Sequence, residues 1–188
     1  MKHKDEIENL VFKELRPCLV GLTETHVTNQ IQDHELRISG YECVRGDSES
    51  TRTGGVLVYI DKRIRFEIKA IDKCEGNWWS IIINIQDRNC KGIVMVVYHS
   101  PNSSDSNFLD YLENTCNDVI LRLNVIIMGD FNIDLKIDNY IQRRLINNMY
   151  SIGLKQLVND FIRIVRTSET IIDLVFFNDD IEVEVRHD

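Results

Sequence analysis

The feature that most constrains this chain is an apolar run, residues 125–128, which stops abruptly at Gly-Asp-Phe-Asn (residues 129–132). This pattern is typical of a buried strand that brings an acid and an amide to the carboxyl end of a sheet. That end is where α/β proteins place their chemistry, and an aspartate beside an asparagine can position and deprotonate a water molecule. Because Gly, Asp and Asn all favour turns, a plain strand-to-loop turn is the alternative. Asp130 and Asn132 are the first candidate site residues.

Two more segments place a polar side chain where an apolar run ends. Glu24 comes directly after one such run, so a second strand can bring an acid to the same edge as Asp130. Tyr98 closes a strand predicted over 93–98, and Pro101 prevents that strand from continuing. Each has a plain alternative, a solvated acid for Glu24 and an amphipathic ring that caps the core for Tyr98.

Asp173 lies within an apolar segment, residues 168–177, that the pattern predicts to be a strand. An unpaired charge inside an apolar strand would be unfavourable. We therefore expect Asp173 to have a partner, and a histidine that it orients is the obvious candidate.

Carboxylates gathered in one place repel each other and raise each other's pKa unless a divalent cation neutralises them. Hard oxygen ligands favour Mg²⁺ or Mn²⁺ over zinc. We accordingly expect the side chains that follow these strands to converge at one edge of the sheets, as a shared phosphate and metal site demands. The expected members are Glu24, Tyr98, Asp130, Asn132 and Asp173.

The pattern over the whole chain predicts one α/β domain, residues 1–188, built as a two-layer sheet sandwich covered by helices. With 43% apolar content and no internal repeat, 188 residues suffice to bury a core. Amphipathic spacing predicts helices over 5–16, 105–123 and 140–152. Strands are predicted over 41–44, 56–60, 66–71, 78–85 and 93–98.

Composition limits where the chain functions and what it binds. The sequence has no run of about 18 apolar residues, which a membrane span needs. Its charged N-terminal segment does not resemble a secretory signal. The five cysteines are scattered and odd in number, which favours a reducing compartment, nucleus or cytoplasm, and Cys18 and Cys116 are predicted core residues. The net charge of −8 argues against a conventional nucleic-acid binder unless basic residues gather on one face. Candidates for such a face are residues 62–65, 143–144 and 163–166.

In their order along the chain, these motifs resemble the endonuclease/exonuclease/phosphatase superfamily, which has the DNase-I-like fold. The motifs are Glu-Thr at 24–25, Tyr-His-Ser-Pro at 98–101, Gly-Asp-Phe-Asn at 129–132 and Ile-Asp at 172–173. Further matches at 54–59, 129–134 and 166–176 are similar to the endonuclease domain of jockey-like non-LTR retrotransposons. The resemblance covers nearly the whole chain and implies a four-layer fold of the α/β (α+β) class.

The resemblance also implies a role for each matched residue. Glu24 matches the glutamate that binds the metal, and Tyr98 matches the tyrosine that contacts the scissile phosphate. Asp130 matches the aspartate that positions or activates the water, and Asn132 the asparagine that helps to hold the phosphate. Asp173 matches the aspartate that orients the catalytic histidine. The implied reaction is Mg²⁺- or Mn²⁺-dependent nicking of DNA, which exposes a 3′-hydroxyl for a reverse transcriptase domain downstream in the parent polyprotein.

The sequence departs from the family pattern at both ends and at one internal site. The family begins with a strand that carries an active-site asparagine and ends with a Ser-Asp-His strand; this chain starts with the helix and has no Ser-Asp-His. We therefore expect a domain without its first and last strands, weak or inactive as a nuclease, with His187 at a frayed end. The family's Pro-Thr-Arg is replaced by Phe-Ile-Arg at 161–163. Arg163 remains a candidate phosphate contact, with a surface ion pair as the alternative.

Two other functions remain open from the sequence. The same fold hosts other phosphoesterases, such as phosphoinositide and nucleotide phosphatases. A non-catalytic remnant that folds and binds metal or nucleic acid weakly is the second alternative. A reverse transcriptase reading frame downstream would favour the endonuclease over another phosphoesterase.

Overall fold

The structure of the protein, a computed structural model, describes residues 7–88, 90–119, 124–158, 163–165 and 168–178. The helices in these ranges are α1 (Glu8–Leu15), α2 (Asp33–Leu36), α3 (Asp105–Val119) and α4 (Tyr140–Ser151). The strands are β1 (Leu19–Thr23), β2 (Tyr41–Gly46), β3 (Val56–Asp61), β4 (Phe66–Cys74), β5 (Trp78–Gln86), β6 (Lys91–His99), β7 (Asn124–Asp130), β8 (Lys155–Gln156), β9 (Arg163–Val165), β10 (Ser168–Thr170) and β11 (Asp173–Phe177). None of the helices in the described ranges is both long enough and apolar enough to cross a membrane.

The described strands form two main sheets and one short hairpin. The larger sheet has the order β4-β5-β6-β7-β11-β8, in which β6 and β7 run parallel and the other neighbours run antiparallel. The smaller sheet has the order β1-β3-β2 and is antiparallel, while β9 and β10 pair with each other. Helix α3 lies between β6 and β7 in the chain, because parallel neighbours need a long crossover connection.

Three buried apolar clusters separate four layers of structure. The first lies between the two sheets, where Val58 and Ile60 of β3 and Ile81 and Ile83 of β5 belong to one cluster. The second joins the outer face of the larger sheet to α3 and α4, and the third joins the outer face of the smaller sheet to α1. Because alternate side chains of a strand point to opposite faces, β3 lies between two apolar layers and is buried along its whole length. The predicted two-layer β-sandwich flanked by helices, with four layers, is confirmed.

The two sheets approach each other closely at Gly21, in the middle of β1. A Cβ atom at this position would lie 2.9 Å from Cγ1 of Val96 in β6 and 3.3 Å from Cε of Met128 in β7. A larger side chain would therefore have to displace the facing sheet, since protein interiors are close-packed. Glu24, Tyr98 and Asp130 follow Gly21, Val96 and Met128, respectively, by no more than three residues. The close approach of the sheets therefore lies next to these candidate residues.

The predicted helices and main strands are present, with differences in detail. The first helix is a π-type helix, a wider coil that apolar spacing does not distinguish from an α-helix. The segment predicted as one strand over 168–177 is divided, because β10 ends at Thr170 and β11 begins at Asp173. Asp173 therefore opens a strand, and the prediction that it lies inside one was wrong. Cys116 is buried as predicted, whereas Cys18 is exposed just before β1.

Candidate active site

The register of the larger sheet places three candidate residues side by side. Tyr98, near the end of β6, pairs with Asp130, the last residue of β7. Asp130 in turn pairs with Asp173, the first residue of β11. Residues directly opposite each other in neighbouring strands point to the same face, so these three side chains share one face of the sheet. That face packs against the smaller sheet, because Tyr98 and Met128 belong to the cluster between the sheets.

Glu24 reaches the same place from the smaller sheet. It directly follows β1, and its backbone is left-handed, with φ 52°. The next two residues are anchored, because the N–H groups of Thr25 and His26 donate to the carbonyl oxygens of Gly55 (3.2 Å) and Gly54 (2.9 Å). Left-handed backbone is uncommon outside glycine and persists where surrounding contacts enforce it. The hydrogen bonds to Gly54 and Gly55 therefore fix the direction in which the chain leaves β1.

The hydroxyl of Tyr98 connects the two sheets at the site. It donates a hydrogen bond of 3.4 Å to Oε1 of Glu24 and is also hydrogen-bonded to Thr53. The ring is buried beside Trp79, with ring centroids 5.7 Å apart. Burial raises the pKa of Tyr98, and the carboxylates of Glu24 and Asp130 raise it further. The hydroxyl therefore keeps its proton at neutral pH and serves as a hydrogen-bond donor.

Asp130 has the most perturbed carboxyl group of the site. Burial, followed by the nearby carboxylates of Asp173 and Glu24, raises its pKa to about 7. Hydrogen bonds from Asn132 oppose this rise, and the Asn132 N–H donates to Asp130 Oδ1 at 3.0 Å. A carboxyl group with a pKa near the working pH is suited to accept and release protons.

Three of the four positions in the Gly-Asp-Phe-Asn motif have a structural reason. Gly129 has φ 143°, and a Cβ atom there would lie 1.9 Å from the carbonyl oxygen of Val97, so the position requires glycine. Phe131 is fully buried in the helix-side core. The backbone of Asn132 is in the left-handed conformation, with φ 47°. The side-chain Nδ2 of Asn132 donates to the carbonyl oxygen of His99 at 2.7 Å. Asparagine tolerates this backbone conformation better than most residues.

Three residues near the candidates were not among the site residues predicted from the sequence, although His99 was considered as an alternative acid or base. Thr53 is hydrogen-bonded to the Tyr98 hydroxyl, and His26 Nε2 lies 3.7 Å from Glu24 Oε1. The third is His99, which holds Asn132. Each of the three is part of a motif used in the prediction or adjoins one, so position beside a motif was the signal that could have found them.

Arg163 and His187 cannot be placed against the site. Arg163 opens β9, but the position of its side chain lies outside the described part of the structure, as do residues 161–162. His187 also falls outside the described residues. A role for Arg163 in binding phosphate stays a prediction.

The oxygen donors of the site fit a hard divalent cation. Glu24 and Asp173 both raise the pKa of Asp130, so three carboxyl groups repel one another in one region. Mg²⁺ is commonly held by one or two carboxylates together with water and substrate phosphate, which suits Glu24 and Asp130. Over the described ranges, no group of three or more His, Cys, Asp and Glu side chains is placed to hold a metal ion.

Comparison with known proteins identifies the family. A family described as endonuclease-reverse transcriptase matches residues 92–188, about half of the chain, including the motifs that begin at Tyr98 and Gly129. The chain belongs to this family, within the endonuclease/exonuclease/phosphatase superfamily. No curated protein sequence matches the chain significantly.

Solved structures with the same fold match nearly the whole chain. The endonuclease domain of TRAS1, a telomere-specific non-LTR retrotransposon, gives a TM-score of 0.71 over 95% of this chain and 81% of that one, at 13% identity. D. rerio TDP2 complexed with a single-strand DNA product gives 0.63 over 94% and 76%, at 13% identity. The Bacteroides thetaiotaomicron mannosyl-6-phosphatase Bt3783 gives 0.59 over 94% and 76%, at 12% identity. At such low identity these similarities establish the fold, and the substrate has to be argued from the site.

Proposed function

We propose that this protein is a Mg²⁺- or Mn²⁺-dependent phosphodiesterase that nicks DNA, the endonuclease domain of a non-LTR retrotransposon. The observation that carries the proposal is the meeting of Glu24, Tyr98 and Asp130 where the two sheets face each other. Membership of the endonuclease-reverse transcriptase family supports it. The proposal includes a reverse transcriptase domain downstream in the parent polyprotein and an intracellular location, nucleus or cytoplasm.

The protein side chains divide the proposed chemistry among them. Asp130 positions the attacking water and accepts its proton. Its pKa is about 7 without a cation, and a bound cation would lower it. The hydroxyl of Tyr98 and the amide of Asn132 are the proposed donors to phosphate oxygens, whose negative charge grows in the transition state. When substrate binds, they would exchange their hydrogen bonds to Glu24 and Asp130 for bonds to the phosphate. Asp173 raises the pKa of Asp130. In the family, the aspartate that it matches orients the catalytic histidine.

Glu24 is the proposed cation ligand, with the Asp130 carboxylate beside it. A bound Mg²⁺ or Mn²⁺ would stabilise the negative charge that develops on the phosphate. Binding is expected to be weak in the absence of DNA, because Mg²⁺ held by few protein ligands relies on the substrate phosphate to complete its coordination.

Several basic residues that could form a DNA-binding face are already paired with acids. The pairs are Arg63 with Asp61, Arg143 with Asp138, and Arg144 with Asp110 and Glu113. Each such pair leaves less positive charge for displacing counterions from DNA, and the net charge of the chain is −8. We therefore expect weak DNA affinity with a shallow dependence on salt, to which Arg163 contributes as a proposed phosphate contact.

We expect the 188-residue chain to nick DNA slowly. Its sequence contains no Ser-Asp-His, the tripeptide that supplies the catalytic histidine in the family. Losing one member of a concerted site lowers the rate on the order of 10³-fold or more.

Conversion of supercoiled plasmid to open circles, with Mg²⁺ or Mn²⁺, tests the proposal. Slow nicking by the wild-type chain should disappear in Asp130→Ala and persist in Asp138→Ala, a matched change at an exposed surface ion pair. Nicking that survives in Asp130→Ala would contradict the role given to Asp130. Robust wild-type nicking that Asp130→Ala abolishes would contradict the expected weakness, and preference for phosphomonoesters over DNA would favour a phosphatase.

A further inference from the structure

His99 is a buried histidine directly behind the candidate site. It is the last residue of β6, and its side chain points to the helix-covered face, opposite to that of Tyr98. Its ring stacks on Phe108 of α3, with centroids 4.4 Å apart and planes 6° from parallel. The residue is fully buried, so it is inaccessible to a substrate.

Two hydrogen bonds connect His99 to the loop that carries the Gly-Asp-Phe-Asn motif. The ring atom Nδ1 lies 2.9 Å from the carbonyl oxygen of Phe131. The backbone carbonyl of His99 accepts from Nδ2 of Asn132 at 2.7 Å. His99 therefore holds two consecutive residues of the loop, one through its side chain and one through its backbone.

The surroundings of the ring define its protonation. A carbonyl oxygen only accepts hydrogen bonds, so Nδ1 must carry a proton to bond Phe131. Nε2 lies 2.9 Å from the hydroxyl of Ser103, whose single proton also has the carbonyl oxygens of Ser100 (2.5 Å) and Asn77 (3.3 Å) as acceptors. Burial lowers the pKa of His99, which favours the neutral ring, although Asp105 Oδ1 lies 3.9 Å from Nδ1. The assignment of the proton to Nδ1 therefore follows from the contact with Phe131 and not from the contact with Ser103.

The Asn132 amide is the part of the site that this arrangement controls. Its side chain is hydrogen-bonded to the Asp130 carboxyl group as well as to the His99 carbonyl. The left-handed backbone of Asn132 is uncommon and needs contacts to enforce it. A change in the position of Phe131 would move both the backbone and the side-chain amide of Asn132, the next residue.

We propose that His99 is a positioning residue that fixes Asn132 through its Nδ1–H bond to Phe131, and so sets the geometry of the phosphate-binding amide. This inference rests on the proposed phosphodiesterase function for its catalytic consequence. Its structural part concerns the loop alone and can be tested without any reaction.

Two substitutions separate the hydrogen bond from the packing. His99→Phe keeps an aromatic ring against Phe108 but removes the donor. His99→Asn gives up the ring, and its amide nitrogen occupies about the place of Nδ1, so it can still donate to Phe131. Leu112→Ala is the matched control, because Leu112 is a buried residue of α3 in the same core and is expected to lower stability without moving the loop.

The first readout is nuclear magnetic resonance of ¹⁵N-labelled protein, which needs no catalysis. The imidazole spectrum should show His99 with its proton on Nδ1. The side-chain amide signals of Asn132, assigned by their loss in Asn132→Asp, should shift or broaden in His99→Phe. They should return toward the wild-type positions in His99→Asn and stay in place in Leu112→Ala. A proton on Nε2, or unchanged Asn132 signals in His99→Phe, would overturn the proposal.

The second readout is plasmid nicking with Mn²⁺. We expect His99→Phe to lower kcat by about tenfold to a hundredfold with little change in KM, the range seen when a supporting contact is lost. His99→Asn should recover most of kcat, and equal losses in both variants would overturn the proposal. A wild-type chain that hydrolyses no phosphoester contradicts the proposed function, and the Asn132 signals then decide the positioning role by themselves.

Discussion

Strands β3 and β7 each end in an aspartate, Asp61 and Asp130. Asp61 accepts hydrogen bonds from the backbone N–H and the guanidinium of Arg63, two residues later. These bonds lower the pKa of Asp61 to about 2. Asp130 is half-buried beside other carboxylates, and its pKa is raised to about 7. Two aspartates at the same place in their strands thus have pKa values shifted in opposite directions.

The comparison teaches that an acid at the end of an apolar strand does not by itself mark a site. What differs is the surroundings: hydrogen bonds from Arg63 stabilise ionised Asp61, whereas burial and then two carboxylates destabilise ionised Asp130. An acid surrounded by acids is destabilised in its ionised form and gains from an added cation. Burial beside other carboxylates therefore distinguishes the candidate metal site from a turn whose acid is hydrogen-bonded to a guanidinium.

The largest expected effect is a pair of opposite stability changes. At pH 8 without metal, Asp130→Asn should raise Tm, because it removes a repelled charge and keeps an oxygen that can accept from the Asn132 N–H. Asp61→Asn should lower Tm, because it weakens charge-assisted bonds to Arg63. Scanning calorimetry measures both, and each kcal/mol corresponds to about 2–4 °C for a chain of this size. A lower Tm in both variants would remove the distinction between the two strand ends.

The pH dependence of unfolding should carry the signature of both groups. The raised pKa of Asp130 contributes stability that is full below about pH 4 and is lost as the pH rises through about 7. The lowered pKa of Asp61 contributes stability that is present above about pH 4 and is lost as the pH falls through about 2. Urea unfolding from pH 4 to 8 should show wild type losing stability relative to Asp130→Asn. Parallel curves for these two proteins would contradict the raised pKa.

A smaller effect is expected from a divalent cation. Mn²⁺ should stabilise the wild-type protein more at pH 8 than at pH 5.5, because Asp130 must be ionised to bind it. At ten times its dissociation constant the gain is about 1.4 kcal/mol. Asp130→Asn should lose most of this gain and Asp61→Asn should retain it, as followed by thermal unfolding. Equal stabilisation of all three proteins would place the bound ion elsewhere.

The smallest effect should come from the guanidinium at the β3 turn. Arg63→Ala should lower stability by less than about 1 kcal/mol, because the Arg63 side chain is 84% exposed. The pKa of Asp61 should nevertheless rise toward its ordinary value, which a carboxyl ¹³C titration would detect. Arg143→Ala, at another exposed pair, is the control and should leave Asp61 unchanged. An unchanged Asp61 titration in Arg63→Ala would show that Arg63 is not the cause of the lowered pKa.

The sequence identifies the candidate residues better than it identifies their neighbours. Tyr98 and Asp130 are visible because each lies at the end of an apolar run. Their pairing depends on the register of β6 and β7, and a slip of one residue would turn one of the side chains to the other face. No local pattern specifies that register, so the direct pairing of Tyr98 with Asp130 could not be predicted.

The start of β11 shows why element boundaries were missed. Residues 171–172 are apolar, but their backbone bonds to the loop after β7. Ile171 N–H donates to Asp134 Oδ1, and the carbonyls of residues 171–172 accept from Leu135 and Phe131. These contacts span 37 residues between Ile171 and Asp134, beyond the reach of any local window. Asp173 consequently opens the strand and lies level with Asp130.

Gly21 makes the site depend on a part of the protein that lies below it. Its missing side chain lets β1 come close to Val96 and Met128, so the separation of Glu24 from Asp130 follows from how tightly two sheets fit. One methyl group added at Gly21 would increase the distance between the two sheets. Glu24 and Asp130 would then lie farther apart although neither residue had changed, and the affinity of the proposed cation site would fall because of a change in core volume alone.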